Sequence, residues 1–158
     1  MSKKQLFEKI LIANRGEIAS RIISTLKKMQ IKSVSVYSEA DTSSKHVELA
    51  DEAYYIGTSP VTESYLSIKN VISAIRESGA EAVHPGYGFL SENASFANSL
   101  KREGITLIGP SAQVIKKMGD KIEAKKIAND SGVSTVPGYL GIINNSQQAI
   151  KIADELGF

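Results

Sequence analysis

HPGYGFLSEN, residues 84–93, stands between a short apolar run and a pattern of apolar residues at helical spacing. A loop in this position joins a strand to a helix, which is where α/β proteins place their ligand-binding residues. Pro85 fixes φ and removes a backbone donor, while Gly86 and Gly88 permit a positive φ or the close approach of another group. Ten patterned residues are more than such a connection needs. We therefore expect this segment, called the glycine loop below, to be functional.

Strands and helices alternate on both sides of the glycine loop. The clearest helix is predicted from Ile68, Val71, Ile72 and Ile75, which recur at helical spacing. Strands are predicted at residues 9–13, 31–37, 53–56, 80–83 and 105–108. Alternating strands and helices form βαβ units with right-handed crossovers. The expected fold is therefore a doubly wound, Rossmann-like α/β domain with a parallel five-stranded sheet.

Glycines mark the ends of the predicted helices. Each of four glycines follows a helical pattern and precedes an apolar residue, as a glycine just past a helix end does: Gly79, Gly104, Gly132 and Gly157. The positions of these glycines support the predicted alternation of strands and helices.

The predicted topology brings two loops together. A doubly wound sheet with strand order 3-2-1-4-5 changes direction between its first and fourth strands, and ligands bind at that switch point. Residues 14–17 and the glycine loop follow those two strands. We therefore expect them to lie on the two sides of one crevice.

A dinucleotide site is a weaker interpretation of the same topology. Glu39 and Asp41 follow the second strand, where an acidic residue can hold a ribose hydroxyl. The first strand-to-helix turn, however, contains only Gly16 and lacks G-x-G-x-x-G, so its backbone cannot approach a pyrophosphate closely. The chain also lacks the P-loop motif. The sequence therefore does not favour dinucleotide binding.

The pattern changes after Pro110. Helices are predicted at residues 111–118, 120–129 and 149–156, with an extended segment at 133–139, and no strand run follows the fifth strand. This places a domain boundary near residue 115, between residues 1–115 and 116–158. The chain stops where another strand would be expected to begin, which is typical of a fragment.

Composition excludes several classes of function. The 19 basic and 17 acidic residues are interleaved and give a net charge of +2, which does not favour nucleic-acid binding. There is no cysteine, so disulfides and thiolate chemistry are excluded. The first residues contain no apolar signal region, and no apolar run approaches transmembrane length. A cytoplasmic protein without a membrane anchor is expected.

The two histidines do not predict a metal site. They lie far apart in the sequence, and no cysteine accompanies them. His46 belongs to a polar helical segment, so we expect it on the surface. His84 ends a predicted strand, so we expect it to bond the nearby backbone.

Lys121 is the most informative charged residue. Asp120 is a good N-cap, and Glu123 completes a capping-box pattern, so Lys121 would be the first residue of a helix. A cation there opposes the helix dipole by roughly 0.3–1 kcal/mol, and helix N-termini favour phosphate. An anionic partner and a solvated surface residue remain equal alternatives from these residues alone. Other nearby lysines are expected on a solvated face: Lys116, Lys117, Lys125 and Lys126.

Four motifs resemble those of one enzyme family. The glycine loop is similar to the HPGYGFLSEN signature of biotin carboxylases, and residues 9–19 resemble the opening strand and turn of that family. Gly109-Pro110 and residues 118–121 match two further family motifs in the same order. The resemblance covers residues 9–158. It implies a pre-ATP-grasp domain followed by helices that lead into an ATP-grasp domain truncated at residue 158.

The resemblance also implies a reaction. The complete enzyme would use ATP, Mg²⁺ and bicarbonate to carboxylate biotin on a carrier domain, and a carboxyltransferase subunit would use the product. Lys121 would contact ATP, and Tyr87 and Gly88 would line the biotin side of the active site. In the family, the phosphate flap, metal-binding carboxylates and catalytic residues lie beyond the position of Phe158. We therefore expect no catalytic residue or metal ligand in this chain, and no activity of the chain alone.

Three further hypotheses remain open. Residues 133–139 are most similar to propionyl-CoA carboxylase α subunits. Arg21 matches a position in the dimer contact of some family members, but Ser24 and Lys28 depart from their charge pattern, which leaves a homodimer open. Alternatively, the chain is a non-catalytic assembly module of a carboxylase, or part of another ATP-grasp ligase such as carbamoyl phosphate synthetase. The glycine loop argues against the last.

Overall fold

The computed structural model describes residues 7–157. Five strands form one parallel sheet with the order β3-β2-β1-β4-β5. These strands are β1 (Lys9–Ile12), β2 (Lys32–Tyr37), β3 (Glu52–Tyr55), β4 (Ala82–His84) and β5 (Thr106–Leu107). The predicted doubly wound α/β fold is confirmed, and its switch point lies between β1 and β4.

The described part of the chain contains seven helices. They are α1 (Gly16–Lys28), α2 (Lys45–Leu49), α3 (Ile68–Ser78), α4 (Ala94–Arg102), α5 (Ala112–Gly119), α6 (Lys121–Asp130) and α7 (Ser146–Leu156). Short 3₁₀ turns lie at Glu39–Asp41 and Val61–Glu63. None of these helices is long and apolar enough to cross a membrane.

The core lies on both faces of the sheet, because alternate residues of a strand point to opposite faces. Leu11 of β1 belongs to one buried cluster together with residues of α3 and α4. Its neighbours Ile10 and Ile12 belong to a second cluster with the apolar residues of α1. Helices therefore cover both faces of β1, which places the ends of the central strands between two packed layers.

Burial on both faces explains an unexpected feature of β2. Alternating serine and valine are typical of a strand with one face in solvent, yet Ser33 and Ser35 are completely buried. The Ser33 hydroxyl donates to Asp51 at 2.6 Å, and the Ser35 hydroxyl donates to the His46 carbonyl at 3.0 Å. Strands of a parallel sheet are covered on both sides, so these polar groups are bonded inside the protein.

The four predicted helix-end glycines adopt the left-handed conformation that they were expected to have. Their φ angles are +67° for Gly79, +72° for Gly104, +70° for Gly132 and +89° for Gly157. This conformation is almost free of strain for glycine, so it ends the helices at low cost.

The described residues form two compact units, one up to Ile115 and one from Lys116. The first unit contains the whole sheet. The second contains α6 and α7 and the extended segment between them. The Asp120 carboxylate caps α6 by accepting from the backbone N–H groups of Ile122 and Glu123, as predicted.

Candidate functional site

Asn14 joins the two loops that follow β1 and β4. Its side-chain Nδ2 donates to the carbonyls of Pro85 and Tyr87, both at 2.8 Å, and its Oδ1 accepts from the N–H of Arg15 at 2.9 Å. Only 3% of Asn14 is exposed, so these bonds are shielded from water. The predicted convergence of the two loops is confirmed, although the sequence did not single out Asn14 as the residue that holds them.

Gly86 and Gly88 serve the glycine loop in different ways. Gly86 has a φ of +65°, and a Cβ there would lie 2.8 Å from Asn14 Nδ2. Gly88 has a φ of +69°, but a Cβ there would meet nothing within 4 Å. Phe89 also adopts a positive φ, +43°, which is rare for a bulky residue. The close approach to the chain therefore occurs at Gly86, whereas Gly88 is needed for its backbone conformation.

Tyr87 projects from the glycine loop with 62% of its surface exposed. Its hydroxyl donates to the Glu17 carboxylate in the first turn of α1. This hydrogen bond and the negative charge of Glu17 raise the pKa of Tyr87. Within residues 7–157, the backbone N–H groups of Tyr87 and Gly88 have no hydrogen-bond acceptor. The loop therefore offers an exposed ring and two free donors to a ligand.

His84 stabilises the start of the glycine loop. Its Nδ1 accepts from the N–H of Gly86 at 3.0 Å, which confirms the predicted bond to local backbone. Burial, and secondly the positive charge of Arg21, lower the pKa of His84. A neutral imidazole is required for this bond, because a protonated Nδ1 cannot accept.

His46 is buried, so the prediction of a surface position was wrong. Its side chain is completely inaccessible to solvent. Its Nδ1 accepts from the N–H of Gly16 at 3.4 Å, and its Nε2–H donates to the Val36 carbonyl at 3.3 Å. The polar sequence of α2 gave no sign of this, because the packing partners of His46 lie in α1 and β2. His46 thus supports the turn that carries Asn14.

The bonds of His46 lead to a prediction about acid stability. Burial, and secondarily the charge of Arg15, hold the pKa of His46 below its usual value of 6.5, despite opposing contributions from the Val36 carbonyl and Asp41. The unfolded chain therefore binds the proton first, so the contribution of neutral His46 is present above about pH 6.5 and lost as pH falls through the lower folded pKa. We expect the free energy of unfolding to fall by at most about 1.4 kcal/mol per pH unit for this proton.

Urea unfolding of the chain between pH 7.5 and pH 5 measures this effect. His46→Asn keeps an acceptor and a donor but cannot be protonated, so its unfolding free energy should depend less on pH. An unchanged pH dependence in this variant would show that His46 does not cause the effect. Burial also lowers the pKa of His84. The variant His84→Asn therefore measures how much of the pH dependence comes from His84 and not from His46.

Asp41 is fully engaged by its neighbours. Its Oδ2 accepts from the Tyr65 hydroxyl at 2.8 Å, the Ser38 hydroxyl at 2.9 Å and Arg15 Nη1 at 3.3 Å, while its Oδ1 accepts from the Ser44 hydroxyl at 3.2 Å. Burial opposes ionisation of Asp41, but these four hydrogen bonds outweigh it and lower its pKa. The carboxylate that could have held a ribose is thus used inside the protein, in agreement with the weakness of the dinucleotide interpretation.

Arg15 links Asp41 to the glycine loop. Its guanidinium carbon lies 5.4 Å from the centroid of the Tyr65 ring and 5.6 Å from that of Phe89. The two rings are stacked, with centroids 5.1 Å apart and planes inclined by 15°. We call Arg15, Asp41, Tyr65 and Phe89 the arginine cluster. No local sequence pattern predicts this cluster, because its members come from four separate segments.

Lys121 is the first residue of α6, as predicted, and its side chain is exposed. None of the ion pairs found among residues 7–157 involves it. Lys121 belongs to the unit that begins at Lys116, whereas Tyr87 and Gly88 belong to the unit that ends at Ile115. In the same range, no group of three or more histidine, aspartate or glutamate residues is arranged to hold a metal ion.

The fold and the crevice define a class of protein: a doubly wound α/β domain whose ligand loops meet at the switch point without a dinucleotide-binding turn. Comparison with known proteins identifies the family within that class. Residues 6–115 match the model of the biotin carboxylase N-terminal domain. The chain belongs to this family, which confirms the resemblance found in the sequence.

Relatives and solved structures agree with this assignment. The propionyl-CoA carboxylase alpha chain of Ruegeria pomeroyi is 54% identical over 153 residues, which are 97% of this chain and 22% of the relative. The biotin carboxylase domain dimer of Hydrogenobacter thermophilus 2-oxoglutarate carboxylase, in complex with MgADP, ADP and bicarbonate, has a TM-score of 0.90 and 47% identity. The alignment covers 98% of this chain and 34% of that one.

A third comparison gives the same result. The biotin carboxylase of Campylobacter jejuni in its βγ-ATP complex has a TM-score of 0.91 and 42% identity, over 96% of this chain and 34% of that chain. The predicted similarity to propionyl-CoA carboxylase α subunits is confirmed by the curated relatives. The chain spans about a fifth to a third of the length of the proteins that it matches.

Proposed function

We propose that this chain is the N-terminal part of an ATP-dependent biotin carboxylase. The complete protein would use ATP and bicarbonate to carboxylate biotin on a carrier domain, in the cytoplasm, and a carboxyltransferase subunit would pass the carboxyl group to an acyl-CoA. The family match supports the reaction. The similarity to propionyl-CoA carboxylase alpha chains supports the acyl-CoA acceptor.

The observation that carries this proposal is the geometry of the glycine loop. Asn14 holds the loop at the switch point of the sheet, where α/β proteins bind their ligands. Tyr87 is exposed there, and the N–H groups of Tyr87 and Gly88 are free of acceptors among residues 7–157. A ring and two donors suit a flat ligand with a carbonyl oxygen, which can accept two hydrogen bonds, and the ureido ring of biotin has this chemistry. Tyr87 and Gly88 are therefore proposed to line the biotin side of the site.

The second unit is proposed to contribute to the nucleotide side. Residues 116–158 would begin the ATP-grasp domain, with Lys121 supplying positive charge to an ATP phosphate. Its exposure and its freedom from ion pairs within residues 7–157 are consistent with this role. The metal ligands that the reaction needs are proposed to lie in the remainder of the ATP-grasp domain.

An assay of ADP formation tests the proposed reaction. The complete protein that carries this chain is incubated with ATP, Mg²⁺, bicarbonate and free biotin, and each component is omitted in turn. We expect turnover that requires all four, and none with the 158-residue chain alone. A complete protein that assembles with carboxylase subunits but shows no biotin-dependent turnover would instead be a non-catalytic assembly module.

Tyr87 provides the part of this test that is specific to the site. We expect Tyr87→Ala to raise the KM for biotin by on the order of tenfold, because it removes an aromatic contact with the ligand, while the KM for ATP stays unchanged. Tyr55→Ala is the matched control, since Tyr55 is also exposed, at 56%, but lies on the edge strand β3. Equal biotin kinetics in the two variants would remove Tyr87 from the proposed site.

A further inference from the structure

We propose that Arg15 is a positioning residue for the glycine loop, acting through the ring of Phe89. Where this inference concerns biotin, it rests on the function proposed above. Its structural part, which concerns the conformation of the loop, stands without that function.

The glycine loop is held in a conformation that its sequence alone does not favour. Gly86, Gly88 and Phe89 all have positive φ angles. Two of these residues are glycines, but a bulky residue in the left-handed region is a true outlier and persists only where its surroundings impose it. Phe89 is only two residues from Tyr87, so a change of its backbone would redirect Tyr87 and the free N–H groups beside it.

The surroundings that impose this conformation are the members of the arginine cluster. The Phe89 ring stacks on Tyr65, and the Arg15 guanidinium lies within 6 Å of both ring centroids. At this distance a guanidinium is attracted to the face of an aromatic ring. Tyr65 is almost completely buried within the core, so the partly buried Phe89 ring packs against a ring that is held in place.

Asp41 fixes Arg15 in turn. Its carboxylate accepts from Arg15 and is itself held by Tyr65, Ser38 and Ser44. Only 15% of the Asp41 side chain is exposed, compared with 41% of the Arg15 side chain. The Arg15 guanidinium is therefore held by the shielded Asp41 carboxylate and lies near the rings of Tyr65 and Phe89.

Asn14 and Arg15 thus hold different parts of the glycine loop. Asn14 bonds the carbonyls of Pro85 and Tyr87 at the start of the loop. Arg15, the next residue along the chain, contacts the loop beyond Tyr87 through Phe89. Tyr87 and Gly88 lie between these two attachments. Removing the second attachment frees the half of the loop that contains the strained residue.

The test uses Arg15→Met and Arg15→Lys in the complete protein. Methionine removes the charge and the flat guanidinium, whereas lysine keeps the charge beside Asp41 but cannot stack in the same way. Arg76→Met is the matched control, because Arg76 also forms an ion pair, with Glu103, at 2.6 Å. Arg76 and Glu103 lie at the opposite end of the sheet from the glycine loop, on α3 and just after α4.

The first measurement is hydrogen exchange in the loop. The N–H of Ser91 donates to the Gly88 carbonyl and that of Asn93 donates to the Leu90 carbonyl, so both amides report whether the loop keeps its turns. We expect Arg15→Met to speed their exchange by on the order of tenfold, and Arg76→Met to leave it unchanged. Unchanged exchange in Arg15→Met would overturn the inference, whether or not the protein has the proposed activity.

The second measurement is the steady-state kinetics of biotin carboxylation. We expect both Arg15 variants to raise the KM for biotin while the KM for ATP stays at the value of the unmodified protein. Faster exchange without a change in either KM would limit Arg15 to stability and overturn its positioning role. Full recovery of loop exchange and biotin KM in Arg15→Lys would also overturn the inference, since the ion pair alone would then suffice. Absence of turnover in the unmodified protein would refute the proposed function instead.

Discussion

Replacing Lys121 by methionine in the complete protein should raise the KM for ATP by roughly tenfold to a hundredfold. A charge-assisted hydrogen bond to phosphate contributes about 1.5–3 kcal/mol, which corresponds to this change in affinity. Lys121 is the first residue of α6, and Asp120 caps that helix with its own carboxylate. The cap therefore forms without the positive charge of Lys121, and the change in KM is expected if Lys121 contacts an ATP phosphate as proposed. Steady-state kinetics with ATP as the varied substrate measure the effect.

Three comparisons separate a ligand contact from a structural role for Lys121. The KM for biotin should remain near its starting value in Lys121→Met. The free energy of unfolding should hold, or rise by about 0.3–1 kcal/mol, because the cation no longer opposes the helix dipole. Lys126→Met is the control, since Lys126 is an exposed lysine within the same helix. Loss of stability with unchanged ATP kinetics would contradict the assignment.

Replacing Gly86 by alanine should destabilise the chain more than the same change at Gly88. Both glycines have a positive φ, so each substitution incurs roughly 1–2 kcal/mol of backbone strain. Only at Gly86 would the new Cβ also meet Asn14, at 2.8 Å from Nδ2, 3.2 Å from Cγ and 3.3 Å from Cβ. Asn14 cannot move away without losing its two bonds to the loop. This overpacking should add roughly 1–3 kcal/mol.

Urea unfolding of the two variants measures the difference directly. Gly88→Ala serves as the control, because it introduces the same strain into open space. If the two variants unfolded at the same urea concentration, the contact between Gly86 and Asn14 would not hold the loop. Gly86→Ala should destabilise an Asn14→Ala variant less than it destabilises the unmodified chain, since the smaller side chain makes room for the added methyl group.

The sequence determined those features that depend on residues close together in the chain. The order of strands and helices follows from periodic apolar residues that are read within one element. The helix-end glycines and the Asp120 cap were predicted because each acts on a backbone group only a few residues away. The convergence of residues 14–17 with the glycine loop also followed from the sequence, since parallel strand order alone brings those strand ends together.

Tertiary structure alone decided which side chains hold the site. Asn14 bonds carbonyls that lie 71 and 73 residues further along the chain, and no local pattern predicts such a pair. The sequence could not show that His46 is buried or that Arg15 reaches Phe89, because α2 and the first turn look polar by themselves. These side chains become buried and bonded only when separate helices and strands pack together. Packing excludes water, so every enclosed polar group must then form a hydrogen bond within the protein.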